Sequence, residues 1–102
     1  MSIGYRTATD SDLAYVKATW AKSARGLTKR GRARDQFDAS MREAVEILSR
    51  ALPITVACST DLDTALLGWA AGANGKLVYV YVGREFRGHG IARELARRVT
   101  LP

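Results

Sequence analysis

Apolar positions along the chain alternate between strand-like and helix-like spacing, and each change marks an element. Ile3 to Ala8 opens as a short strand, and Thr9-x-x-Asp12 is a capping-box-like start for a helix. Leu13, Val16 and Trp20 then recur at steps of three and four, which gives that helix one apolar face to about Ser23. A second helix is predicted from about Asp35 to Arg50, with Phe37, Met41, Val45 and Leu48 on one stripe and Arg42 and Glu46 placed to pair one turn apart. Pro53 stops it. Ile54 to Ser59 and Ala65 to Ala71 read as two strands joined by the polar turn Thr60 to Thr64, and Gly72-Ala-Asn-Gly75 turns the chain into a further strand, Lys76 to Val82. Ile91, Leu95 and Val99 return to helical spacing. The predicted order is β-α-α-β-β-β-α, an α/β chain with a mixed sheet in one domain, residues 1–102.

The join between the last strand and the last helix carries the chemistry. Gly88 and Gly90 stand between them, so the turn aims backbone N–H groups and the positive end of the helix dipole at something negative. Arg87 and Arg93 flank the helix start, where cations fit poorly unless an anion is present. Spacing sorts the candidate anions. Gly83 and Gly88 are five apart, as a Walker loop requires, but His89-Gly90 stands where Lys followed by Ser or Thr should be. The dinucleotide fingerprint fails as well, because Gly88-x-Gly90 is followed by Arg93 instead of a third small residue. A bland alternative stays open, in which the two glycines merely make a tight strand-to-helix turn.

The run Arg87-Gly-His-Gly-Ile-Ala92 resembles the Arg/Gln-x-x-Gly-x-Gly/Ala signature of the GNAT superfamily of acyl-CoA N-acyltransferases. Leu66-Leu-Gly-Trp69, the strand Leu77 to Val82 and the N-terminal Ile3 to Leu13 are similar to that family in order and spacing, so the resemblance covers roughly the whole chain. It implies a GNAT-like fold, truncated after the third helix and lacking the C-terminal half-sheet, similar to the compact versions carried by bacteriophages. The implied ligand is acetyl-CoA, the acyl donor, with an amine of a protein or small molecule as acceptor. Main-chain groups around Val80 and Val82 would pair with the pantetheine amides, on a fourth strand that carries a bulge in this family. Amides from Arg87 through Gly88, His89, Gly90, Ile91 and Ala92 would hold the pyrophosphate, and Arg93 would reach toward the nucleotide end. The competing reading is a non-catalytic GNAT-like interaction protein that binds and modulates a host protein.

The proton-transfer groups are not legible. Tyr79 and Tyr81 share one side of their strand and are the candidates for catalysis, against the plainer reading of cleft-lining aromatics; Glu85 lies in the turn. The lone Cys58 sits in an apolar run and reads as a buried, reduced thiol, and one Cys with one His makes a protein-built metal site implausible.

Bulk properties narrow the picture further. With 102 residues the chain would bury about two thirds of its unfolded surface. Hydrophobic content of 47% and charged content of 25% are globular values. No apolar run approaches a membrane span and the N-terminus opens into strand-like sequence, so a cytoplasmic location is expected. Sixteen Lys and Arg against ten Asp and Glu leave +6. Much of the excess is Lys22, Arg25, Lys29, Arg30, Arg32 and Arg34, between Gly26 and Gly31 or just beside them: a solvated loop, or a rim for an acidic partner or cofactor phosphates. Nucleic-acid binding is the least favoured reading, because no recognition motif accompanies the charge. A truncated sheet would leave the fourth strand as an open edge, which a second copy or a different protein is expected to cover as a homodimer or hetero-complex.

Overall fold

The structure, a computed structural model, describes residues 2–25 and 33–101. The elements run β1 (Ile3–Thr7), α1 (Asp10–Arg25), α2 (Ala33–Ala51), β2 (Ile54–Ser59), β3 (Leu66–Ala73), β4 (Lys76–Val82) and α3 (Ile91–Thr100). This is the predicted order, a mixed α/β fold. The basic stretch Lys29, Arg30 and Arg32 lies outside the described residues.

The four strands form one sheet in chain order, β1-β2-β3-β4, with every neighbour antiparallel. Asn74 (φ 56°) and Gly75 (φ 75°) form the two-residue turn between β3 and β4, a left-handed pair that Asn-Gly adopts readily and that matches strand twist. Two register shifts bend the sheet. One leaves Leu67 between the pairs Ala57–Gly68 and Cys58–Leu66; the other leaves Val78 between Ala71–Tyr79 and Gly72–Leu77. The bulge at Val78 is of the kind the family resemblance implies for this strand, and it puts Val78 out of the ladder between Leu77 and Tyr79.

Side-chain alternation builds two apolar layers. On one face, α1 and α2 cover Val56, Trp69 and Ala71 with Val16, Trp20 and Val45, and Tyr79 and Tyr81 pack at the margin. On the other, α3 sets Ile91 and Leu95 against Ala57, Leu67, Ala70 and Val82. Trp20 and Trp69 meet at 4.9 Å between ring centroids, a tilted contact worth about 1 kcal/mol beyond the area it buries. Trp69 also donates its Nε1–H to Thr19 Oγ1 at 2.8 Å, so the central indole is satisfied without water. Cys58 is buried and free.

The start of α1 is tied down as its sequence predicts. The Asp12 carboxylate accepts the Thr9 backbone N–H at 2.7 Å, one half of a capping box. Arg6 on β1 adds a fork to the same carboxylate, at 2.6 and 3.2 Å, and reaches Asp63 O at 2.9 Å. Strand, helix and the β2–β3 loop are thereby held at one point. The expected pair of Arg42 with Glu46 is not the one formed. Glu46 instead takes Lys17 of α1 at 3.0 Å and Arg50 at 2.6 Å, because a bond across the helix pair satisfies the carboxylate while also holding α1 against α2.

Candidate functional site

Among the described residues β4 has a strand neighbour on one side only. Gly83 N–H donates to Leu67 O at 2.8 Å, so the polar groups of Gly83 and, by alternation, those of Tyr81 and Tyr79 face β3. Those of Val80 and Val82 therefore face the open edge. Their side chains lie on the α3 face, and the rings of Tyr79 and Tyr81 lie on the α1/α2 face.

Past Val82 the chain makes one 3-10 turn, Arg84–Phe86, closed by Phe86 N–H on Gly83 O at 2.9 Å. Phe86 tucks into the α3-side layer and anchors the loop. Gly88 (φ 84°) and Gly90 (φ 79°) then adopt left-handed backbone, which is why both are glycine. A Cβ at either position would meet no protein atom within 4 Å, so the space in front of both stays open. Gly90 caps α3 without any side-chain hydrogen bond, and the first helical bond runs from Glu94 N–H to Gly90 O at 3.1 Å. The N–H groups of Ile91, Ala92 and Arg93 are left without an intrahelical acceptor and point out of the helix start. Arg87 and Arg93 flank this end, and neither forms an ion pair with a carboxylate among the described residues. The cations on the next turns are compensated, since Arg97 and Arg98 both bind Glu94 and hold its carboxyl below the usual range.

Two adjoining pockets use these groups. One of about 430 Å³ lies over the helix start, lined by Val82, Arg87, Gly88, Gly90, Ala92 and Arg93, with Phe86 and Ile91 behind. The other, about 310 Å³, follows the strand edge past Val80 and Val82 to Tyr79, Tyr81 and Ser23. They share Val82, Arg87 and Ala92, so they form one groove that wraps from the α3 face around the edge of the sheet to the α1 face. Arg87 stands at the junction, and its Nε–H donates to Val82 O at 3.0 Å.

Most of the residues read from the sequence are brought together here, with differences of role. Ile91 is buried in the core, so only its backbone N–H is offered to the groove. His89 lines neither pocket: its Nδ1 lies 3.1 Å from both Phe86 O and Arg87 O, and the ring folds back on its own loop. The tyrosines divide. Tyr79 is stacked on Trp20 and Trp69, at 5.4 and 5.7 Å, and its hydroxyl meets Ser23 Oγ at 2.7 Å. Tyr81 lies edge-on to Tyr15 at 6.5 Å, and its hydroxyl has no hydrogen-bond partner among the described residues. Burial pushes the Tyr15 hydroxyl's pKa up, with smaller contributions from Tyr81 and Glu85. Ser23 and Tyr15 escaped the sequence reading. The signal that would have found them is the stripe Tyr15, Thr19, Ser23, at four-residue steps beside the apolar face of α1. Among the described residues no group of His, Cys, Asp and Glu side chains is arranged to hold a metal ion.

The fold defines a class. Solved structures similar to this chain include apo YjaB from Escherichia coli, with a TM-score of 0.68 at 17% identity over 97% of this chain and 65% of that one. A GCN5-related N-acetyltransferase from Rhodopseudomonas palustris matches at 0.67 and 16%, over 96% of this chain and 63% of its own. The structure of yncA from Salmonella typhimurium with its cofactor acetyl-CoA matches at 0.57 and 21%, over 97% of this chain and 61% of its own. No protein-family model and no curated protein matches the sequence. The chain therefore has the fold of the GCN5-related N-acetyltransferases, and it spans a little under two thirds of the length of these three neighbours. No helix among the described residues is long and apolar enough to cross a membrane.

Proposed function

We propose that this chain binds acetyl-CoA and transfers its acetyl group to an amine of a protein or small molecule. The observation that carries the reading is the continuity of the groove at Val82, Arg87 and Ala92, which joins an anion-receptive helix start to an open strand edge. A ligand with a pyrophosphate at one end and an amide-bearing arm at the other matches that sequence of surfaces. The likeness of fold to yncA, solved with acetyl-CoA, supports the choice of ligand.

In this reading the N–H groups of Gly88 through Arg93 hold the pyrophosphate, helped by the Arg93 side chain, because unpaired donors and an uncompensated cation favour an anion there. The outward N–H and C=O of Val80 and the outward N–H of Val82 accept the pantetheine arm as an added strand would be accepted. When bound, acetyl-CoA supplies an acyl group already activated as a thioester. The protein's contribution is then to align amine and carbonyl, which accounts for much of the rate in such transfers, and to polarise the carbonyl with an outward N–H of β4. Tyr81, with its hydroxyl uncommitted at the far end of the groove, is the group on this chain best placed to exchange a proton with the reacting atoms. The amine would approach from the α1 side, past Tyr15 and Ser23.

The open edge of β4 is the surface that a second copy or another protein would cover. Leu77 and Val78 are 40% and 47% exposed there, an apolar pair on a strand with one free side.

Calorimetry with acetyl-CoA, followed by thiol release on a panel of amines, tests the proposal. Saturable binding with thiol release on at least one amine is expected; absence of any binding would sink it.

A further inference from the structure

Arg87 uses its Nε–H on Val82 O at 3.0 Å, and Val82 O is the last carbonyl that β4 turns toward the open edge. The bond joins the final residue of the strand to the residue before the glycine turn, across the 3-10 turn that separates them. Both of its ends line both pockets, so the bond sits where the strand-edge part of the groove meets the part over the helix start, with Val82 on the strand and Arg87 on the turn. The intervening turn is otherwise held at Gly83, whose N–H bonds Leu67 O, and at Phe86, which packs into the α3-side layer, while Arg84 and Glu85 are exposed; between Phe86 and the glycines the Arg87 bond is the tie back to the strand.

We infer that Arg87 is a positioning residue, which clamps the strand edge and the phosphate-binding turn into one frame so that a single linked ligand can meet both at once. The inference rests on the acetyl-CoA reading for the identity of that ligand, although the clamp itself belongs to the free protein. Effective concentration is what the clamp supplies. A ligand of two joined parts gains over its separate parts only if both subsites hold a spacing that suits the linker. Letting the turn drift relative to β4 leaves each subsite usable and weakens only their cooperation. A side chain that touched phosphate alone would behave differently, since its loss would weaken the phosphate-bearing fragment as much as the whole ligand.

The test compares Arg87→Met and Arg87→Gln with the unaltered chain against three probes: coenzyme A, adenosine 3′,5′-bisphosphate, and pantetheine. Arg87→Met is expected to weaken coenzyme A roughly tenfold, the effect of losing one hydrogen bond to a charged donor, while both fragments keep their affinities. Arg87→Gln retains a donor without the charge and is expected to recover part of the loss. Equal weakening of adenosine 3′,5′-bisphosphate and coenzyme A would overturn the inference in favour of a direct phosphate contact. Unchanged coenzyme A affinity would overturn it in favour of no role. A second measurement needs no ligand: amide hydrogen exchange across residues 83–90 should quicken in Arg87→Met and remain unchanged in α1. If exchange in the turn does not change, the clamp is wrong even where coenzyme A binds. If exchange quickens but the unaltered chain binds no coenzyme A, the clamp stands and the acetyl-CoA reading fails.

Discussion

Tyr79 and Ser23 meet at 2.7 Å through their hydroxyls, and that contact ties the edge strand to the end of α1. Ser23 Oγ also reaches Trp20 O at 3.2 Å, so the Tyr79 hydroxyl is engaged in a short hydroxyl chain while that of Tyr81 has no partner among the described residues. Tyr79→Phe should cost about 1 kcal/mol in urea unfolding, the usual net worth of one hydrogen bond, and should leave turnover close to that of the parent chain. Tyr81→Phe should leave stability and acetyl-CoA affinity unchanged and lower kcat, by roughly tenfold or more if the hydroxyl handles a proton. The reverse pattern would assign the catalytic candidate to Tyr79.

Gly90→Val tests the helix start. Its φ of 79° strains any side chain, at a cost of about 1–2 kcal/mol, yet a Cβ meets no protein atom within 4 Å. The variant should therefore fold, with circular dichroism like that of the parent, while its acetyl-CoA affinity by calorimetry falls at least tenfold. Unaltered affinity would move the ligand elsewhere.

Asp12 sets an acid limit on stability. The Arg6 guanidinium holds its carboxyl at about 2 against an ordinary 3.8, with the Thr9 N–H helping. A carboxyl depressed on folding adds stability that is fully present above its unfolded pKa and is lost as pH falls through its folded value. The contribution is ~2 kcal/mol, on the side chain's near-complete burial. Urea midpoints should therefore decline between pH 4 and pH 2 in the parent chain. Asp12→Asn should start less stable and show a flatter decline across the same interval.

The β4 edge makes a prediction about association. If a second copy covers it, light scattering should show mass rising with concentration, and Val78→Lys should abolish the rise by setting a charge on the edge while sparing acetyl-CoA binding. A parent chain that stays monomeric throughout and captures no partner would leave the edge unpaired and sink the proposal.

Local pattern alone determined much of this protein. The strand and helix order, the Thr9–Asp12 cap, the Asn74-Gly75 turn and the glycines before α3 were legible because each rests on residues a few positions apart, where backbone preference and side-chain period act directly. Arg87 through Arg93 could be singled out for the same reason. Contacts across the fold were not legible. That Glu46 reaches across to Lys17 depends on how α1 and α2 pack. That Ser23 takes the Tyr79 hydroxyl, 56 residues away in sequence, depends on α1 lying across the end of β4. His89 folds onto its own loop, with Nδ1 against Phe86 O and Arg87 O, a contact that the residue type at 89 does not record. The groove belongs to this second kind of fact. Sequence placed an anion-receptive turn after a strand, but only packing could make the turn and the open edge share Val82, Arg87 and Ala92, because continuity of a surface depends on distances between elements.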